Sequence, residues 1–256
     1  MHQSKNESIK KSKIMSTLTR FIITSIIGLL MLSCNFSMNL GDGVDGNRNV
    51  VSADRNISSD FSTIKVSQGL DLYITQSNDV SLSIEADENL HELIMTEVEN
   101  GVLKIYVTEN IRRAASKKII LNVADFSAIK ATSGSDVYST NTIEVDDLEL
   151  NTTSGADMKL TVNTKQLVCK ATSGSDIKLS GKTKTLNASA TSGSDIDARS
   201  LSAETSDVKA TSGADISVNT SKELTARATS GGDIRYSGNP EKVNKSDSSS
   251  GSVRQQ

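Results

Sequence analysis

The 256-residue chain is poor in large side chains: hydrophobic residues make up 36%, aromatic residues 3%, and tryptophan is absent. Its formal charge is −3, and the first 33 residues hold five basic side chains and one Glu, which leaves 23 basic against 30 acidic residues beyond them. That acidic balance argues against a nucleic-acid partner, because phosphate neutralisation needs a basic face, and the composition excludes a core built on aromatic rings.

The amino terminus reads as an address. In "MSTLTRFIITSIIGLLMLSC", residues 15–34, Arg20 supplies positive charge, Phe21–Leu32 is apolar, and Ser33 places a small residue before Cys34. Twelve helical residues span about 18 Å, short of the roughly 30 Å hydrocarbon core, so a cleavable signal fits better than a membrane span. Residues 1–33 are expected to be a lipoprotein signal peptide, with Met15 as a plausible alternative start to Met1. Cys34 is then the lipidation site, attaching the protein to the membrane. Residues 34–58 are rich in Gly, Asn and Asp and read as a flexible polar tether.

The domain proper is expected over 59–253, in two parts, with 254–256 as a tail. In the first part, 59–130, "FSTIKVS", "LDLYIT", "VSLSIEA", "GVLKIYV" and "KIILNVADF" alternate apolar and polar residues as strands do. Asn100-Gly101 between two such runs signals a hairpin. "NIRRAASKK" at 110–118 reads as a solvated loop, and "ENLHELI" around His91 as a short surface helix or turn.

The second part, 131–253, repeats one hexapeptide. "ATSGSD" stands at 131–136, 171–176 and 190–195, with "TTSGAD" at 152–157, "ATSGAD" at 210–215 and "ATSGGD" at 228–233. The spacing of about twenty residues marks a solenoid in which each unit covers its neighbour. Alternation places Leu148, Leu150, Thr152, Ser154, Ala156, Met158 and Leu160 on one face, and equivalent sets follow in the next units. The fold expected is all-β, a parallel β-helix of about 20-residue coils preceded by a β-rich segment. Gly134, Gly155, Gly174, Gly193, Gly213 and Gly231 would supply a backbone conformation that other residues resist. Asp136, Asp157, Asp176, Asp195, Asp215 and Asp233 would accept backbone N–H bonds at the turn. "SSSGSV" at 248–253 reads as a degenerate last coil that caps the sheet edge.

The order of "FSTIKVSQGLDLYITQSND", "LSIEADENL", "VENGVLKIYV" and the SGSD-type repeats through "YSGNP" resembles the auto-transporter adhesin head GIN domain family, lipoproteins of the Bacteroidetes. The resemblance covers about residues 60–253. It implies a right-handed parallel β-helix, an exported location and an adhesive role, and it carries over no catalytic residues.

Chemical motifs are few. The stacked Asp column suggests calcium, as in glycine- and aspartate-rich β-rolls, but one Asp per coil falls short of the six to eight oxygens that calcium takes. An enzyme acting on polysaccharides is the weaker alternative: His91 is the single histidine after the signal, and no Ser-His-Asp set, phosphate loop or zinc spacing appears. Cys169 reads as a small buried apolar side chain. The expectation is a non-catalytic, cofactor-free envelope lipoprotein, in the outer membrane facing the periplasm or the surface. Its partner would be a polysaccharide or another envelope protein.

Overall fold

A computed structural model describes residues 43–248 and 250–256; the signal segment, Cys34 and the start of the expected tether lie outside the described residues. The N-terminal part contributes β1 (Val44–Asp45), β2 (Val50–Arg55), β3 (Thr63–Ser67), β4 (Asp71–Gln76), β5 (Ser81–Asp87), β6 (Ile94–Glu99), β7 (Val102–Val107), β8 (Ile111–Arg113) and β9 (Lys117–Val123). The repeats follow as β10 (Ala128–Thr132), β11 (Asp136–Glu144), β12 (Asp147–Thr153), β13 (Asp157–Thr172), β14 (Asp176–Thr191), β15 (Asp195–Thr211) and β16 (Asp215–Thr229). The chain closes with β17 (Asp233–Ser237), β18 (Lys242–Asp247) and β19 (Ser252–Gln255).

Two sequence expectations change in the N-terminal part. Residues 44–55, expected in the tether, form strands: β2 runs antiparallel beside β5, pairing Val50 with Asp87 through Arg55 with Leu82. The segment 110–118, expected as a loop, supplies β8, which pairs in parallel with β1. Asp87 holds both additions in place. It is fully buried, and its carboxylate accepts backbone N–H bonds from Arg48 (2.9 Å), Ala115 (3.0 Å) and Ser116 (3.1 Å). Burial raises its pKa, but these three donors and the Arg48 charge outweigh that and leave it below the ordinary value. A polar composition thus concealed segments ordered by one buried carboxylate together with cross-strand pairing.

Spatial order departs from chain order at the start of the stack. β3 and β4 lie between two layers, β7 and β9 on one side and β10 and β11 on the other. The chain leaves after β4, makes β5 and the β6–β7 hairpin, lays β9 under β4, and returns to the far side as β10. Asn100 (φ 51°) and Gly101 (φ 74°) turn the hairpin, as the Asn-Gly pair predicts. Antiparallel pairing of β5 with both β9 and β2 covers this end of the solenoid.

From β10 onward the architecture is the expected β-solenoid, of about seven turns with coils near 19 residues. Adjacent rungs pair in parallel; β13 and β14 match residue for residue from Asp157↔Asp176 to Thr172↔Thr191, with only Lys165 left out of the pairing. One strand of 15–17 residues makes nearly a whole coil. It bends where two successive residues face outward, as at Lys165–Gln166, and the alternation resets there. Inside lie columns of one residue per rung, such as Leu148, Leu167 and Leu186, or Ala171, Ala190 and Ala210, all buried. Polar residues enter the core in pairs: Thr164 Oγ1 donates to Thr183 Oγ1 at 2.8 Å, and Ser206 and Thr220 share a bond of 2.7 Å. Each hydroxyl thereby avoids the cost of an unpaired buried group.

The far end closes differently. β18 pairs only with β16, and its Val243, Lys245 and Asp247 continue the core columns of Leu224, Ala226 and Ala228. All of β18 is exposed, and charges at core positions blunt a sheet edge against further stacking. Ser252 continues the column of Asp233, and β19 extends to Gln255, through most of the expected tail.

Candidate functional site

The repeated hexapeptide forms one continuous crest along the solenoid. Ser133, Ser154, Ser173, Ser192, Ser212 and Ser230 have φ of 51–59°, and the glycines that follow them have φ of 67–77°. Two successive left-handed residues reverse the chain, which favours glycine at the second position. An added Cβ would meet nothing within 4 Å at Gly134, Gly155, Gly174, Gly193 or Gly213, so the requirement there is conformational and not steric. Five of these glycines donate their N–H to the serine carbonyl of the next rung: Gly134 to Ser154 (3.1 Å), Gly155 to Ser173 (3.2 Å), Gly174 to Ser192 (3.2 Å), Gly193 to Ser212 (3.1 Å) and Gly213 to Ser230 (3.1 Å). Stacked turns can pair in this way only if every rung turns alike, which explains the copying.

Two expectations about the crest are corrected. Ser154, Ser173 and Ser192, expected on the inner face, are exposed at its tip; alternation survives because the two left-handed residues replace one inward and one outward place. The aspartates accept across rungs and not within their own turn, as where Asp157 Oδ1 takes the N–H of Asp176 at 3.3 Å. Ser135, Ser175 and Ser194 close the turn: each buried hydroxyl accepts the N–H of the threonine three residues earlier (3.0–3.2 Å) and donates to its carbonyl (2.9 Å).

The aspartates start the next strand and form one flank of the crest. Asp71, Asp136, Asp157, Asp176, Asp195, Asp215 and Asp233 occupy successive rungs. Asp71 belongs to "SQGLD", a divergent copy of the turn that the hexapeptide pattern does not reveal, in which Gln68 and Gly69 take the left-handed places. Partial burial, then repulsion from rung neighbours, raises the pKa values of Asp136, Asp176 and Asp195. Burial also raises that of Asp71, with Lys117 and Lys118 offsetting part. Among the described residues, no group of three or more His, Cys, Asp or Glu side chains is placed to hold a metal ion.

Beside this flank stands an aromatic pair that the sequence reading passed over. Tyr73 and Tyr138 stack rung on rung with centroids 5.0 Å apart, and Lys118 Nζ lies 5.3 Å from the Tyr73 centroid. Their signal was the shared Asp-x-Tyr of "LDLYI" and "SDVYS". Tyr138, Lys159 and Lys178 border two shallow hollows of about 280 and 290 Å³. One is edged by Ser139, Thr161, Ser180 and Ser200, the other by Asp157, Asp176, Asp195 and Asp197.

The opposite flank is basic. Lys104, Lys65, Lys130, Asn151, Lys170, Ser189, Lys209 and Arg227 form one outward column, rung by rung. The repeating unit is therefore a heptapeptide: "KATSGSD" at 130–136 and 170–176, "KATSGAD" at 209–215 and "RATSGGD" at 227–233. Thr132, Thr153, Thr172, Thr191, Thr211 and Thr229 run between this column and the crest.

The remaining candidates for chemistry are structural. His91 Nε2 lies 3.1 Å from the Val51 carbonyl oxygen and 3.2 Å from that of Ala86, stapling β2 to the end of β5. Cys169 is buried, and desolvation pushes its thiol pKa up, away from reactivity.

Residues 60–240 match the family model described as "Putative auto-transporter adhesin, head GIN domain". The chain belongs to this family. Solved structures share its fold. A protein named a putative adhesin from Bacteroides fragilis aligns with TM-score 0.78 at 20% identity, over 84% of this chain and 100% of its own. A Parabacteroides distasonis protein named a putative lipid binding protein aligns with TM-score 0.68 at 23% identity, and a Parabacteroides merdae protein named a putative adhesin with 0.67 at 21%. Each covers 84% of this chain and 100% of its own. No curated protein matches the chain. Membership of the head GIN family is consistent with a non-catalytic, adhesion-like role outside the cytoplasm.

Proposed function

We propose that this head GIN protein is an exported lipoprotein, anchored through Cys34 in the outer membrane, whose solenoid serves as a binding module for a repetitive envelope partner. The observation that carries the reading is the crest. Its outward columns present a hydroxyl or a carboxylate on each rung and a cation on most, about 4.8 Å apart along the stack. Such a surface suits many weak contacts acting together on a repetitive polymer or on another envelope protein. The signal-like segment before Cys34 supports export and lipidation, and the structural roles of His91 and Cys169 among the described residues support a non-catalytic reading.

Two measurements test this. Growth with radiolabelled palmitate should label the wild-type protein and not Cys34→Ala, and protease treatment of intact cells reports the side on which the domain lies. Deleting the protein should weaken attachment or envelope integrity, and complementation by the Cys34→Ala variant should fail. Unlabelled wild-type protein, or a deletion strain with normal attachment and envelope, would contradict the proposal.

A further inference from the structure

We infer that the basic column Lys104–Lys65–Lys130–Asn151–Lys170–Ser189–Lys209–Arg227 is a docking surface for an acidic polysaccharide. The inference deepens the binding-module reading above by naming the flank that makes contact and the chemistry it takes.

The first ground is charge placement. Six cations stand in eight successive rungs, bounded by Glu97 opposite Lys104, although the chain carries a net charge of −3. Lys104, Lys65 and Lys130 stack directly, and like charges about 5 Å apart repel by roughly 1 kcal/mol even in water. Some neighbouring rungs carry opposite charges that pair, as in Lys165–Asp146, Lys222–Glu204 and Lys242–Glu223, whereas the basic column, like the aspartate flank, stacks like charges. Pairing between rungs does not account for the three stacked lysines. An anion laid along the column removes the repulsion.

The second ground is which cations are available. Lys104, Lys170 and Arg227 pair with Glu99, Glu149 and Asp207 at the surface, contacts weak enough to exchange for another anion. Among the described residues, Lys65, Lys130 and Lys209 have no ion-pair partner, and all three are exposed.

The third ground is shape. The column is one residue wide and runs the length of the stack, with the threonine hydroxyls alongside as partners for sugar hydroxyls. At its first rungs, Lys65, Lys104, Ser67, Gln68, Glu97 and Tyr106 line a hollow of about 340 Å³, where a sugar ring can rest against an aromatic side chain. A lipid surface fits less well. The exposed large hydrophobics among the described residues, Val50 and Val243, both lie outside this column, so nothing on the flank would enter a bilayer.

The test uses the full-length protein in neutral phosphatidylcholine nanodiscs, which occupy its membrane anchor and leave added vesicles intact. It measures binding of polygalacturonate and dextran sulfate, with neutral dextran, polyglutamate and phosphatidylglycerol vesicles as the other arms. Both acidic polysaccharides should bind more tightly than neutral dextran, and raising salt from about 20 to 200 mM should weaken binding by about tenfold or more, since exposed charges are screened over that range. The triple variant Lys65→Glu/Lys130→Glu/Lys209→Glu should lose at least about tenfold in affinity, the loss expected when three exposed cations become anions, with an unchanged unfolding temperature. The double variant Lys165→Gln/Lys222→Gln, at lysines outside the column that pair with Asp146 and Glu204, should keep wild-type affinity and salt dependence. No salt-sensitive binding, or wild-type affinity in the triple variant, would overturn the inference. Equal binding of polyglutamate would also overturn it by pointing to an acidic protein, including the aspartate flank of a second copy; equal binding of the vesicles would point to a membrane. Failure here with attachment still dependent on the protein in cells would leave the binding-module reading standing and move the contact to another face.

Discussion

The two ends of this chain solve the same problem with opposite materials. Residues 43–123 are built from strands of two to seven residues, mixed parallel and antiparallel pairing, and a core of large aliphatics such as Ile64, Leu72, Ile84, Ile119 and Leu121. Residues 128–237 use long parallel strands and small inner columns, with Ala171, Ala190 and Ala210 next to the crest. The comparison teaches that sequence repetition is needed only where a rung must pair with a copy of itself. Where hairpins close the stack, ordinary hydrophobic packing suffices, and the sequence is free to vary. Substitutions should therefore cost contact area in the first region and conformational regularity in the second.

The largest expected effect breaks the first region. Leu121→Ala deletes a fully buried side chain and should destabilise by about 3 kcal/mol, while Ala190→Gly in the repeats should cost about 1 kcal/mol. Denaturant unfolding measures both, and equal losses would erase the contrast. Nearly as large is Asp87→Ala, which takes from the N–H groups of Arg48, Ala115 and Ser116 their charged acceptor; the expected cost is about 2–3 kcal/mol. The pH dependence has a definite sign. Folding lowers the Asp87 pKa below 3.8, so its stabilisation is complete above that pH and is lost as pH falls through the folded value. An unfolding-temperature profile of Asp87→Ala should lack that acid limb.

Substitutions at two glycines and one aspartate sharpen the account of the coil. Gly174→Ala places a Cβ on a residue at φ 67° with open space around it, so it should cost only about 1 kcal/mol, the price of the left-handed conformation. Gly181→Ala would drive a Cβ to 2.1 Å from the Val162 carbonyl oxygen, and should cost about 3 kcal/mol; comparing their denaturant midpoints separates conformational from steric need. The smallest effect is Asp195→Asn. Folding raises this pKa through burial and the Asp176 and Asp215 charges, so the carboxylate favours folding below 3.8 and opposes it once pH rises through the folded value. The variant should unfold up to about 2 °C higher at pH 7, a gain limited by solvent screening. Added calcium or chelator should leave wild-type unfolding unchanged, because the column offers each ion too few oxygens.

The solenoid was legible in the sequence because stacking demands sameness: glycine intervals and alternation expose the rungs directly. The crest was half legible. The glycines stand out, but which face the serines take depends on two left-handed residues, and alternation alone cannot register that reset. Asp71 and the turn at Gln68–Gly69 were hidden because their copy diverges, and the lysine flank because the repeat was framed one residue too late. The strands β1, β2 and β8 were illegible for another reason: their order comes from Asp87 and cross-strand pairing, and neither leaves a local pattern.

In-register parallel stacking is the claim on which the columns, the crest and both flanks depend. Nitroxide labels at positions 159 and 178, in a protein whose Cys34 and Cys169 are replaced by alanine, test it directly, because Lys159 and Lys178 are outward neighbours on adjacent rungs. At a strand spacing of about 4.8 Å, the doubly labelled protein should give a strongly broadened electron paramagnetic resonance spectrum. A spectrum equal to the sum of the two singly labelled proteins would contradict the account.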